Sequence, residues 1–274
     1  MRRLIVNADD LGLSRERNAG IAEAVRARAV ASVSLLANLD GFDDAVATLR
    51  ELPRVDVGLH FNISEGRPIA ASPRSLVDEA GRFFGKGETR ARALAGRLEA
   101  AEIGRELEAQ VARLRAAGID PSHVDGHQHL HVYGPVAAAV ARAAARCGLR
   151  WTRLPSEPAR LSDGLPIDRR SQIDEYRALS EAAREAFEAA GLRAPGHFRG
   201  LALSGRMTAG ALAALVAGLP EGTTELMVHP GRASAPSGFE GPDREAELAA
   251  LVDPAFRRAL DEGGVALGRR ESLA

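Results

Sequence analysis

Short apolar runs alternate with amphipathic stretches along most of the chain. Leu4-Ile5-Val6 predicts a first strand, and 31–37 (ASVSLLA), rich in apolar and β-favouring residues, a second. Further strands are expected over 55–61, 119–126, 149–154 and 225–228, with a last short one over 265–267. Between them, helical periodicity places helices over 15–29, with Ser14 as N-cap, and over 41–52. A long helix is expected over 88–117, ending at the C′ glycine Gly118, and another over 135–147, ending at Gly148. Helices over about 174–190, 208–218 (capped by Thr208) and 243–262 complete the series. Residues 67–87, with several Gly, Pro and Ser, read as a long loop or insertion. Strands alternating with helices imply a parallel sheet covered by helices. About seven such units in one chain predict an irregular TIM-like (β/α) barrel occupying 1–274 as a single domain, with an open doubly wound sheet as the rival. The turn after the first strand, Asn7-Ala-Asp-Asp-Leu-Gly12, lacks the G-x-G-x-x-G of dinucleotide-binding folds, and no Walker phosphate loop is present.

Composition narrows the chemistry. The chain has 274 residues, 36 Lys+Arg against 37 Asp+Glu, and a formal net charge of −1, without the basic footprint that nucleic-acid binding requires. Lys86 is the only lysine, which all but removes Schiff-base catalysis. Cys147 is the only cysteine, so thiolate zinc sites and iron–sulfur clusters are excluded, and a reducing, cytoplasmic setting fits. Residues 1–9 contain no signal-peptide-length apolar run, and no stretch reaches membrane-spanning length. The seven histidines remain to be explained, five of them between residues 60 and 131.

Polar residues gather at the predicted C-terminal ends of strands, which in a parallel barrel meet at one face. Asp9 and Asp10 follow the first strand, His60 and Asn62 the third, His123 to His131 the fourth, Arg153 the fifth, and His229 precedes Pro230-Gly231. The run His123-Val-Asp-Gly-His-Gln-His-Leu-His131 is densest. As a strand it would aim residues 123, 125, 127, 129 and 131 one way over about 13 Å, too far for one ion to touch them all. As a helix it would make His127 and His131 an i, i+4 pair, against which Gly126 and Gly134 argue. The adjacent acids Asp9 and Asp10 read either as cap and first-turn acid or as a metal ligand beside a general base. Both serve one site only if the strand ends there. Arg153 could anchor a carboxylate; His197, in Gly196-His-Phe-Arg199, is either structural or part of a site wall.

The blocks Asn7–Gly12, Gly58-Leu-His-Phe-Asn-Ile-Ser-Glu-Gly66, His123–His131, Arg153-Leu-Pro155 and Glu225-Leu-Met-Val-His-Pro-Gly231, in this order and spacing, resemble the YdjC-like carbohydrate deacetylases, which include chitooligosaccharide and hopanoid-associated deacetylases. The resemblance implies an irregular barrel related to NodB-type polysaccharide deacetylases. It implies a divalent metal ion held by Asp10, His60 and His127, with Asp9 as general base, His229 as general acid and Arg153 holding the base. Two imidazoles suit zinc, whereas the family is associated with magnesium. Gly196 stands where many members carry Asp before His-Phe, which puts the role of His197 in doubt. The expected reaction is hydrolysis of an acetamido sugar or glycolipid to acetate and a free amine, with a homodimer as the family-level assembly. A phosphoesterase-like hydrolase using Asp125, His129 and His131 for a second metal, and a non-catalytic sugar-binding protein, are the alternatives.

Overall fold

The computed structural model describes residues 1–270. Seven strands form one parallel sheet: β1 (Arg2–Leu11), β2 (Ser32–Leu35), β3 (Asp56–Phe61), β4 (Val124–Gly126), β5 (His197–Arg199), β6 (Gly222–Val228) and β7 (Val265–Leu267). Their order is β4-β3-β2-β1-β6-β5, with β7 added against residues 2–4 of β1. That order is a once-wound ring cut between β4 and β5. The cut is spanned by single parallel bridges, Val124 to Thr152 and Trp151 to Arg193. The result is a parallel α/β half-barrel with an irregular seam, and the doubly wound alternative is discarded. The strand expected over 149–154 survives only as those two bridges, because Pro155 lies just beyond and the segment bends toward the site.

The helices are α1 (Arg15–Arg26), α2 (Phe42–Glu51), α3 (Lys86–Leu94), α4 (Ala100–Ala116), α5 (Gly134–Arg146), α6 (Ile167–Ala189), α7 (Ala209–Ala217), α8 (Asp243–Val252) and α9 (Pro254–Glu262). Ser14 caps α1 by accepting from the Arg17 amide, and Thr208 caps α7 through Ala211. Two long helices expected from periodicity are each divided. Gly96, at φ +66°, ends α3 and the Arg97 amide returns to the Arg92 carbonyl, so 88–117 becomes α3 and α4. Pro254 cannot donate to the preceding turn, and Asp253 recaps the chain by accepting from Ala255, so 243–262 becomes α8 and α9. The loop over 67–85 is tied down by α4: Glu106 accepts from the amides of Ile69 and Ala70, and Glu102 from those of Arg74 and Ser75. Apolar side chains from every strand and every helix form one continuous buried cluster.

The strand interiors are unusual in carrying charge. Asp9, Asp125, Arg153, Glu225 and Arg270 are all buried inside the half-barrel. Beside them, Gly58 makes room for a histidine: a Cβ there would lie 2.2 Å from His123 Nε2.

Candidate active site

The end of β1 does not stop, as expected, to let two adjacent acids face one site. The strand continues to Leu11, and its register with β2 shifts between Ala8 and Leu11. Asp10 takes a left-handed conformation at φ +66°, which Asp tolerates better than most residues. This bulge turns both carboxylates to the same side.

The His-rich run is neither strand nor α-helix. Only residues 124–126 pair with β3; from His127 the chain enters a 3-10 turn in which Gln128 and His129 sit at φ +55° and +58°. The five polar residues therefore diverge. His123 is buried beneath the site, its Nδ1 2.8 Å from Ser122 Oγ. Asp125 accepts from Ser34 and lies 2.7 Å from His60 Nδ1. His127 reaches Asp10, and His129 stacks edge-on against Tyr176 at 4.7 Å. His131 turns away and donates from Nε2 to the Arg153 carbonyl at 2.9 Å, so its proton is on that nitrogen.

Asp10, His60 and His127 converge. Asp10 Oδ1 lies 2.9 Å from His127 Nδ1 and 3.2 Å from His60 Nε2. Ligand atoms from these three residues all fall within 4.8 Å of one another. Asp10 Oδ2 is buried without a hydrogen-bond partner. Burial works against the Asp10 carboxylate, yet the two imidazoles hold its pKa well below the ordinary range. Burial likewise works against a charged His60, but Asp125 and Asp10 push it up to about 10, and Asp10 raises His127. Two protons or one cation would satisfy the same atoms. A carboxylate whose Oδ1 faces two imidazole nitrogens while its buried Oδ2 has no partner, with one ring oriented by a second carboxylate on its far side, fits a divalent metal ion.

Asp9 is held differently. Arg153, fully buried, donates Nη1 to Asp9 Oδ2 at 2.6 Å and Nη2 to Asp9 Oδ1 at 2.7 Å. The same guanidinium lies 2.9 Å from Asp125 Oδ2 and donates Nε to Glu225 Oε1 at 2.8 Å. Burial raises the Asp9 pKa against the opposing pull of Arg153. His229, at the end of β6, places Nε2 3.9 Å from Asp9 Oδ2. Its amide donates to Glu247 and its carbonyl accepts from Arg17. Burial, reinforced by the Arg244 and Arg17 guanidiniums, holds its pKa well below the ordinary value, so it rests neutral.

A second cluster, Asp9, His60 and Asp125, also has ligand atoms within range of one another. Arg153 already occupies oxygens of both carboxylates, so a second cation there would displace a buried guanidinium. His129 and His131 point elsewhere. The extra residues of the His-rich run thus do not assemble a second site among the described residues.

Asn62 shapes the adjoining loop, accepting from the amides of Ser64 and Glu65. That turn brings in Glu65, whose Oε1 lies 3.3 Å from His127 Nε2 and accepts from Gln128. Glu65 belongs to the Gly58–Gly66 block, but a lone acid in a loop carries no spacing signal in the sequence. His197 begins β5 opposite Thr224, and its Nε2 lies 3.2 Å from the Glu221 carbonyl, toward the other end of β6 from His229. It is no part of this site. The site opens into a cavity of about 570 Å³ whose wall includes Lys86, Arg169, Tyr176 and Phe239. A cavity of about 580 Å³ at the opposite end of β3 contains none of Asp9, Asp10, His60, His127, Arg153 and His229.

The sequence profile of the YdjC-like proteins matches residues 3–262. The chain belongs to the YdjC-like family. This YdjC-like protein is 39% identical over 288 residues to a mouse carbohydrate deacetylase, covering 97% of this chain and 93% of that one. It is also 39% identical to the human carbohydrate deacetylase, covering 99% and 91%. A solved structure from Enterococcus faecalis V583, named as a candidate cellobiose-phosphate cleavage protein, shares the YdjC-like fold at a TM-score of 0.79 and 22% identity, with coverage of 100% and 99%. No helix among the described residues is long and apolar enough to cross a membrane.

Buried neutral imidazoles give this site a pH signature. Burial lowers His123 and His131 from 6.5 to about 4, and holds His129 and His229 well below their ordinary value. The unfolded chain binds protons at these positions that the folded chain refuses. Their contribution is complete above pH 6.5 and is lost as pH falls through 4, by ~3 kcal/mol for each group lowered to about 4. His60 and His127, whose pKa values are raised, oppose this trend only near pH 6.5, where the unfolded rings are still partly neutral, and contribute no further change at lower pH. The urea midpoint should therefore fall steadily from pH 6.5 to 4.5; a flat midpoint would show these rings are not excluded from protonation.

Proposed function

We propose that the protein is a metal-dependent N-deacetylase of an acetamido sugar, oligosaccharide or glycolipid. The observation that carries this reading is the division of labour between neighbouring acids: Asp10 faces two imidazoles, and Asp9 faces a guanidinium and His229. The names of the mouse and human relatives support the substrate class.

Asp10, His60 and His127 would hold a divalent ion. Two imidazoles and a carboxylate suit zinc or another transition metal, although magnesium is also compatible with the family. When bound, the ion supplies Lewis acidity toward the acetyl carbonyl and the attacking water. Asp9 accepts the proton of that water while Arg153 fixes the carboxylate's orientation. An acetamide nitrogen is a poor leaving group and needs a proton before the C–N bond breaks. His229, neutral at rest and 3.9 Å from Asp9, takes up that proton and delivers it to the departing amine. One water is consumed, and acetate and a free amine are released. Asp125 sets the His60 ring so that Nε2 faces Asp10.

Tyr176 and the half-exposed Phe239 line the pocket and offer aromatic surface suited to a sugar ring. The free thiol of Cys147, the chain's one cysteine, accords with a reducing, cytoplasmic setting. The test is acetate release from a panel of N-acetylglucosamine oligomers and amino-sugar lipids, with zinc or magnesium added. Release from at least one member, lost with EDTA, is expected. Absence of release across the panel, together with tight saccharide binding, would favour a binding protein instead.

A further inference from the structure

Arg270 lies beyond the stretch matched by the family profile, yet it is fully buried inside the half-barrel. The segment after β7 carries it there: the Gly268 amide donates to the Leu4 carbonyl, and the Arg270 amide to Asp56 Oδ2. Its side chain then touches two residues that each reach Asp9. Nη2 forms an ion pair with Glu225 Oε1 at 2.6 Å, and the same oxygen accepts from Arg153 Nε. Nη1 donates to Asn7 Oδ1 at 3.0 Å, and Asn7 Nδ2 donates to Asp9 Oδ1 at 2.7 Å.

The second route decides which way an amide points. A guanidinium can only donate, so the Asn7 atom facing Arg270 must be oxygen. Ser32 Oγ donates to the same oxygen at 2.6 Å. The amide NH₂ is thereby directed to Asp9 and to Ser34 Oγ, at 2.7 and 2.8 Å. Without Arg270 the amide oxygen loses its charged donor and keeps only Ser32, so Asn7 is held chiefly from the other side, by the Asp9 carboxylate it is meant to position and by Ser34.

We propose that Arg270 is a positioning residue for Asp9, acting from below the site through Asn7 on one side and through Glu225 and Arg153 on the other. This rests on the reading of Asp9 as the general base. The residue touches no substrate; it fixes the oxygen that must receive the proton. Losing such an orienting contact should slow the chemical step without weakening substrate binding.

The test compares Arg270→Ala with Asn7→Asp. Asn7→Asp keeps an acceptor for Arg270 but replaces the donor to Asp9 with a like charge. Both variants should lower kcat about tenfold or more, with KM changed less than about twofold, consistent with loss of a hydrogen bond to a charged group. Guanidinium ion added to Arg270→Ala should restore part of kcat. A folded pair of variants with the kcat of the wild type would overturn the proposal, as would a parallel rise in KM that accounts for the whole effect. If Arg270→Ala does not fold, Asn7→Asp decides on the same criteria. Crystal structures of the variants supply an arm independent of turnover: the residue 7 to Asp9 contact should be broken, and its persistence would refute the proposal. Should the wild type show no acetamide hydrolysis, the deacetylase reading fails and this structural arm still judges the positioning of Asp9.

Discussion

Asp10→Asn is expected to abolish acetate release and to empty the chain of bound metal. The substitution keeps shape but removes the negative charge on which His60 Nε2 and His127 Nδ1 converge. It also places an amide where a carboxylate oxygen is buried without a partner. Outer partners of a metal site typically contribute about 10–100-fold to affinity or activity, and removal of a direct ligand should exceed that range. His127→Ala should behave alike. Asp125→Asn should fall within the smaller range, because its oxygen orients the His60 ring from the far side. Metal content per chain, measured by elemental analysis after dialysis, separates loss of the ion from loss of the fold, which circular dichroism would report. Wild-type metal content and activity in both Asp10→Asn and His127→Ala would remove these residues from the ligand set.

How far these residues could be read without coordinates varies by segment. The alternation of apolar runs and amphipathic helices carried the parallel architecture, because β1, β2, β3 and β6 each have a recognisable apolar stretch. β5 has three residues, His197–Arg199, two of them polar, and gives no such signal. The breaks at Gly96 and Pro254 were present in the sequence but were outweighed by uninterrupted apolar periodicity on both sides. The site was legible as a set of strand ends: Asp9, Asp10, His60, His127, Arg153 and His229 do share one cavity region. What periodicity could not supply is the backbone that assembles them. Two left-handed residues, Gln128 and His129, split the His-rich run into separate directions, and a third, Asp10, lets neighbouring acids face the same way. Such conformations in non-glycine residues cost about 1–2 kcal/mol each and persist only where surrounding contacts impose them. Three of them around one carboxylate cluster mark where the fold gives up regularity to build a site. Arg270 was illegible for a different reason: one arginine among many has no pattern, and its partners lie more than 40 residues away in sequence.

Arg153→Met is expected to produce the largest loss of stability. The guanidinium is fully buried and serves Asp9, Asp125 and Glu225 together, at 2.6–2.9 Å. Removing one partner of a buried ion pair typically destabilises by about 3–5 kcal/mol, because the remaining charge has no water to return to. Here Asp9 loses its guanidinium partner outright, while Asp125 and Glu225 lose Arg153 and keep only His60 and Arg270, respectively, as charged partners. At roughly 2–4 °C per kcal/mol for a chain somewhat shorter than this one, Tm should fall by about 10 °C. The pH dependence identifies the cause. In the wild type, Arg153 and His60 hold Asp125 well below the ordinary carboxylate range against the effect of burial, so its contribution is present at pH 7 and lost only in strong acid. In the variant, burial and mutual repulsion raise these carboxylates above their unfolded values. A raised carboxylate stabilises below the unfolded pKa and loses that contribution as pH climbs through the folded one. The deficit of Arg153→Met relative to the wild type should therefore shrink between pH 7 and pH 5, even as both proteins lose stability through their buried histidines. Arg153→Lys should fall between the two, since one ammonium retains the charge but cannot present three donor directions to three carboxylates. A deficit independent of pH would assign the effect to lost packing rather than to stranded charge.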